Sequence, residues 1–168
     1  MNPLWKRVLP VFLAFSAGGL TATAVREGSS LVAYKDSGGT WTIGNGSTKG
    51  VKPGDTITKE QERELLKRDA AIAEGGVKRH IKVPLYPWEY DALTDFVFNV
   101  GETNFKKSTL VKKFNKQDYH GGCRQFFVWN KVKGQFSQGV LNRRIEEYDQ
   151  CIGLPELRKI AASVGYEF

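Results

Sequence analysis

The chain has 168 residues, 25 Lys and Arg against 18 Asp and Glu, a formal net charge of +7, and two cysteines. That length suits one ordinary domain, or two small lobes around a cleft, and the basic balance favours polyanionic partners such as nucleic acid, anionic headgroups or cell-wall polymers. Without a Cys-x-x-Cys pair, a His cluster or a phosphate-binding glycine loop, a metal centre, a catalytic thiol and a nucleotide site are all disfavoured.

In chain order, the first feature is Val8 to Val25, which carries no charge and follows Lys6 and Arg7. As one helix it would reach about 27 Å, marginally enough to cross a hydrocarbon core. The flanking charge then places the amino terminus in the cytoplasm and the rest outside. Gly18, Gly19, Ser16, Thr21 and Thr23 weaken its second half and Pro10 interrupts its first, so insertion has little free energy to spare. Cleavage as a signal peptide would fit Ala22-Thr23-Ala24 but would leave Glu27 beside a new terminus. A permanent anchor, an anchor that later releases, and a buried core helix are the other readings, and release is preferred.

Glu27 to Thr48 follows, a glycine-punctuated stretch carrying Glu27, Asp36 and Thr42. Two carboxylates in different surroundings are what glycosidic cleavage requires, one protonated to serve the leaving oxygen and one ionised to direct water. Glu27, closing an apolar helix, is expected in desolvated surroundings that suit a proton donor. Asp36, between Lys35 and Ser37, is expected in a polar turn. Thr40 to Ile43, between Gly38-Gly39 and Gly44-Asn45-Gly46, reads as a short hairpin.

Beyond the turn Pro53-Gly54-Asp55, Thr58 and Gln61 have capping-box spacing for a helix through about Glu74, where Gly75-Gly76 should end it. Helices are expected at about Pro87 to Val100, Ser108 to Asn115, Tyr119 to Trp129, Gln138 to Gln150 and Pro155 to Val164, with Gly165 as a stop. Phe96, Val97, Val100, Leu110 and Trp129 read as core. Asn99 and Thr109, polar among apolar neighbours, are candidates for touching substrate. Lys106, Lys107, Lys112, Lys113 and Lys116 surround Phe105 and Phe114, a pattern open to a nucleic-acid strip but better read as a solvated helix face. His80 and His120 read as surface residues. In an oxidising compartment Cys123 and Cys151 can pair, stabilising the fold by about 3 to 4 kcal/mol, and their distance from the Glu27 to Thr42 segment favours a structural role.

The order Glu27-Gly28, Leu31, Ala33-Tyr34, Asp36, Gly39, Trp41-Thr42-Ile43-Gly44, Gly46 resembles the phage-type lysozymes, glycoside hydrolase family 24, the muramidases that phages use as endolysins. Phe96 to Gly101, Asn104-Phe105, Ser108-Thr109-Leu110, Trp129, Gly139 and Arg143-Arg144-Ile145-Glu146 extend the resemblance, which spans about Arg26 to Cys151. It implies an α+β lysozyme-like fold, with a small hairpin lobe and a larger helical lobe around a cleft. It also implies Glu27 as general acid, Asp36 as the carboxylate that positions water, Thr42 as the hydroxyl that helps hold it, and peptidoglycan as substrate. No cofactor or metal, no nucleic-acid partner and a monomer are expected. One departure stands out: the family's His after the second glycine is Ser47 here, which bears on local hydrogen bonding and the pH optimum.

The weakly apolar start resembles that of signal-anchor-release endolysins. By that likeness residues 1–26 form the releasable segment and 27–168 the catalytic domain, seated first in the host inner membrane through residues 8–25, facing the periplasm, and then freed into it. The rivals are a lytic transglycosylase, which needs no water-directing Asp, and a membrane-tethered wall-binding protein without turnover.

Overall fold

The computed structural model describes residues 6–36 and 38–163 of the chain. Eight helices occur among them: α1 (Ala17–Glu27), α2 (Lys59–His80), α3 (Pro87–Val100), α4 (Glu102–Lys107), α5 (Thr109–Asn115), α6 (Tyr119–Arg124), α7 (Gln138–Cys151) and α8 (Leu154–Ser163). Two antiparallel pairs complete the set, β1 (Ser30–Lys35) with β2 (Trp41–Gly44) and β3 (Lys131–Val132) with β4 (Gln135–Phe136). The expected helix end at Val164, its stop at Gly165, and Ser37 lie outside the described residues.

The small lobe is the β1–β2 hairpin, in register through Tyr34↔Thr42 and Lys35↔Trp41, with residues 55–57 hydrogen-bonded to the far edge of β1. It sits on the start of α2. Thr58 and Gln61 cap that helix reciprocally, as their spacing predicts. Glu62, buried one turn in, accepts hydrogen bonds from Ser29 Oγ at 2.6 Å and Lys59 Nζ at 2.9 Å, and those partners lower its pKa, Ser29 first. The loop entering β1 is thereby tied to the helix.

The expected stop at Gly75-Gly76 is corrected by the structure: α2 continues to His80. A Cβ on Gly76 would lie 3.1 Å from Val97 Cγ1 and 3.5 Å from Glu102 Cβ. Gly76 therefore serves the close approach of α2 to α3 and α4, a packing gain that overrides the local cost of glycine in a helix. At 22 residues α2 is about 33 Å long and links the hairpin lobe to the helical one.

The larger lobe is built around α3, whose residues Glu89 to Val97 are all buried. Phe96 meets the rings of Phe126 and Trp129 edge-on at 5.1 and 5.5 Å. Phe105 and Phe114 are wholly enclosed, so the lysines beside them have no exposed ring to offer a stacked base. The expected helix from Tyr119 to Trp129 is α6 followed by a 3₁₀ turn over Gln125–Val128. The short α4 and the β3–β4 hairpin carry too few residues to show a period in the sequence.

The apolar start departs most from expectation. Instead of one helix over residues 8–25, the chain makes a 3₁₀ turn at Pro10–Phe12, an irregular stretch, and then α1. Pro10 cannot donate to a helix, and Ser16 caps α1 by accepting from Gly19 N at 2.9 Å. No helix of the described residues is long and apolar enough to cross a membrane. The segment instead lies on the domain, with Val8 and Leu85 exchanging backbone hydrogen bonds and Asp91 accepting from Ser16 N at 3.0 Å.

Cys123 and Cys151 form a disulfide between α6 and the last residue of α7, with Cα atoms 5.8 Å apart and both residues buried. Closing a loop of 28 residues removes denatured-state entropy worth about 3 to 4 kcal/mol. Reduction should lower the melting temperature by about 10 °C while folded enzyme keeps its turnover, measurable by paired melting and activity assays; activity found only after reduction would contradict a structural role.

Candidate active site

Glu27 is the last residue of α1, and Gly28, at φ 73°, turns the chain sharply away from it. A left-handed C-cap of this kind suits glycine. The helix end is held from the hairpin lobe, because Asn45 Nδ2 donates to the Gly28 carbonyl and, at 3.3 Å, to that of Ala24. Gly46, at φ 96°, runs beside the Glu27 carboxyl: a Cβ there would stand 3.4 Å from Glu27 Oε2. Ile43 and Ser47 exchange backbone hydrogen bonds around this turn and fix its shape.

From the other side, Arg143 on α7 donates from Nη1 to Glu27 Oε1 at 2.5 Å. The expectation of desolvated, apolar surroundings for Glu27 is therefore corrected: its carboxylate is partly shielded, but its nearest polar neighbour is a guanidinium. Arg143 is itself held by Asp95 Oδ1 at 3.3 Å and Glu147 Oε1 at 3.2 Å. Burial opposes the Arg143 charge, but Asp95, Glu27 and Glu147 more than offset it, and its pKa is raised. Asp95, only 3% exposed, also accepts from Thr23 Oγ1 and from Arg26 Nη1 at 3.1 Å. Burial pushes the Glu147 carboxyl up to about 8 against the pull of Arg144. Arg144 lies over the Phe96 ring at 4.9 Å.

Asp36 closes β1 at the hairpin turn. Its Oδ1 accepts from Gly38 N at 2.8 Å and Thr40 N at 2.9 Å, which aims the carboxylate, and Oδ2 takes no hydrogen bond from the described residues. Lys35, expected beside it, leans instead over the Trp41 ring at 5.5 Å. Thr42 is buried on β2, its hydroxyl donating to the Thr40 carbonyl at 3.1 Å. Ser47, in the place of the expected His, donates to Asp69 Oδ2 and so joins the turn to α2.

Two hollows are lined by neighbours of Glu27. One, of about 300 Å³, is lined by Gly46, Ser47, Asp69, Phe98 and Glu102 among others. The second, of about 270 Å³, is lined by Arg26, Asn99, Gly139, Val140, Arg143 and Glu146. Gly46 belongs to the first and Arg143 to the second; Arg143 donates to the Glu27 carboxylate, and a Cβ on Gly46 would stand 3.4 Å from it. Asn99 lines the second hollow, with its Oδ1 accepting from Arg144 Nη2 at 2.7 Å. Thr109 is exposed at the start of α5 and lines neither hollow. Among the described residues no group of three or more His, Cys, Asp or Glu is placed to hold a metal ion.

Sequence reasoning missed Asn45, Asp95 and Arg143. Arg143 stands 116 positions from Glu27, and although both belong to the family resemblance, no spacing or periodicity showed that they meet. The only hint available was composition: an Asp within the apolar run of α3 has to find a partner.

Comparison with known proteins fits this geometry. The Phage lysozyme family model matches residues 24–147. The endolysin of Acyrthosiphon pisum secondary endosymbiont phage 1 is 42% identical over 136 residues, covering 79% of this chain and 93% of that protein. The SAR-endolysin of Pseudomonas phage phiKMV is 41% identical over 147 residues, covering 85% and 91%. Among solved structures, the endolysin from Escherichia coli O157:H7 phage FAHEc1 superimposes with a TM-score of 0.77 at 35% identity, covering 88% of this chain and 96% of that one. A lysozyme-like fold, a carboxylate gripped from α7 and a family match across most of the length lead to one conclusion: the chain belongs to the phage lysozyme family.

Proposed function

We propose that this chain is an endolysin that hydrolyses the β-1,4 bond between N-acetylmuramic acid and N-acetylglucosamine in peptidoglycan and so lyses the host cell. Glu27 is the general acid. Asp36 positions the attacking water, Thr42 assists it, and Asn99 contacts the glycan from the second hollow. The observation that carries the reading is that Glu27 is held from both lobes, its carboxylate by Arg143 and its helix end by Asn45, while its neighbours Gly46 and Arg143 line two hollows. A linear polymer can lie along such a path with its scissile bond at the acid. A water-directing Asp favours hydrolysis over transglycosylation, and wall binding without turnover has no use for it.

In this proposal residues 1–26 serve first as a membrane anchor with the amino terminus inside, and residues 27–168 are the catalytic domain on the periplasmic side. Release brings the segment onto the domain. Three observations support the reading. Val11, Phe12 and Val25 are 65%, 76% and 77% exposed in the docked form, apolar surface that a bilayer would cover. The docking contacts are largely polar, with Glu74, Glu89, Asp91 and Asp95 accepting from Phe15 N, Arg7, Ser16 and Thr23 respectively. And α1 carries Glu27 at its end, so undocking α1 unseats the acid.

Glu27→Gln should lower turnover on purified peptidoglycan by about 10² to 10⁴ with the fold intact, since the amide keeps the shape but carries no transferable proton. Asp36→Asn should be similarly impaired, and wild-type enzyme should release reducing ends of inverted anomeric configuration. Activity of Glu27→Gln within about tenfold of wild type would remove it from the acid role. Retention would point to a covalent intermediate, and anhydro products to transglycosylation.

Release has its own test. Gly18 meets nothing closer than Ser16 Oγ at 3.7 Å, whereas a Cβ on Gly19 would meet the Phe15 ring at 2.5 Å. Gly18→Leu therefore adds apolar insertion energy with less disturbance of the docked form. It should hold the chain in the membrane fraction and delay lysis after the membrane potential collapses. Full lysis by Gly18→Leu protein that remains in the membrane fraction would leave a permanently anchored enzyme.

A further inference from the structure

We propose that Tyr86, Tyr119 and Glu89 form a preformed receptor for the guanidinium of Arg7, and that its occupation latches the released amino-terminal segment onto the catalytic domain. This inference rests on the membrane-release reading above.

The geometry is that of a three-sided cage. Arg7 donates from Nε to Glu89 Oε2 at 3.1 Å and from Nη2 to Oε1 at 2.8 Å, a paired fork on one carboxylate. Its Cζ stands 3.6 Å from the centroid of the Tyr119 ring and 4.2 Å from that of Tyr86. A cation between two rings is drawn to both electron-rich faces. A lysine ammonium has neither the plane to lie between rings nor the fork to match the carboxylate.

The walls are held by contacts that do not involve Arg7. Tyr86 stacks on Trp88 with centroids 4.5 Å apart. The Tyr119 hydroxyl donates to the Pro84 carbonyl at 2.9 Å, and its ring meets Phe114 edge-on at 5.9 Å. Glu89 Oε2 also accepts from Tyr86 N at 2.8 Å, which fixes the base of the cage. With Arg7 absent, Glu89 would lose both donors of the fork and keep Tyr86 N as its hydrogen-bond donor among the described residues. The receptor therefore awaits a cation.

Arg7 immediately precedes the apolar segment. When residues 8–25 span a bilayer with the amino terminus inside, Arg7 and the cage lie on opposite sides of the membrane, and the cage cannot be filled from within the chain. Filling it requires the whole segment to have crossed. The adjacent Val8–Leu85 pair, with N···O distances of 2.7 and 2.8 Å, then continues the docking toward Ser16 and α1. The cage thus reports complete exit of the segment and stabilises the arrangement in which α1 presents Glu27.

The test uses full-length protein purified in its released, soluble form, as wild type, Arg7→Ala and Arg7→Lys. Chymotryptic cleavage after Phe12 and Phe15 reads the docking of the segment. It should be about tenfold faster in Arg7→Ala, with Arg7→Lys failing to restore wild-type protection. Methylguanidinium, followed by tyrosine fluorescence or NMR, should bind saturably to Arg7→Ala and not to wild type, and methylammonium should bind Arg7→Ala more weakly. Equal cleavage rates in wild type and Arg7→Ala would overturn the latch, and absence of saturable methylguanidinium binding to Arg7→Ala would overturn the cage. Neither readout depends on turnover, so an inactive wild-type chain would sink the muramidase reading alone. Membrane fractionation of the wild-type chain before depolarisation tests the release reading separately.

Discussion

A carboxylate removed from water has to be matched by cations and hydrogen-bond donors, and Asp95 is such a group. Its partners come from two other helices, Thr23 and Arg26 from α1 and Arg143 from α7. Satisfying Asp95 therefore fixes α1 and α7 relative to α3. It also fixes the acid, since Arg143 reaches past Asp95 to grip Glu27. Removing one member of a buried pair typically costs several kcal/mol, because the other is left uncompensated. The hairpin lobe adds its own constraint through Asn45, which ties off the carbonyl end of α1. Glu27 is thus positioned by both lobes at once.

The same polar docking resolves an apparent conflict in the amino-terminal segment. A stretch apolar enough to enter a bilayer would ordinarily be buried in a core, but here several of its larger side chains remain exposed. What seats it on the domain is chiefly hydrogen bonds and ion pairs to α3 and to Glu74 on α2. Those contacts demand few apolar residues of the segment. A Cβ on Gly19 would meet the Phe15 ring at 2.5 Å, so the turn into α1 suits glycine there.

What the sequence revealed and what it hid follow one physical division. The hairpin that carries Asp36 and Thr42 was legible because the glycines around it announce the turn within a few consecutive residues. Helices of several turns, such as α7 with its periodic burial and α3 with its continuous apolar run, were legible for the same local reason. Gly75-Gly76 misled because helix propensity is local while the approach of Val97 is not. Over residues 8–25 Pro10 was a visible interruption, but the helix start set by the Ser16 cap was not, because that cap forms with Ser16 held by Asp91 on the domain. The contacts of Asp95, Arg143 and the Arg7 cage across the fold could not be read from spacing, since Arg143 lies 48 positions from Asp95 and 116 from Glu27, and Arg7 82 from Glu89.

The central claim is that Asp95 positions Glu27 through Arg143. A double-mutant cycle of Asp95→Asn and Arg143→Lys, read in turnover on purified peptidoglycan with melting temperatures as a control, tests it most directly. The account predicts that the two substitutions are strongly non-additive, with a coupling of about 1 to 3 kcal/mol in the activation free energy, because each breaks the same link. Strictly additive losses in folded variants would contradict it.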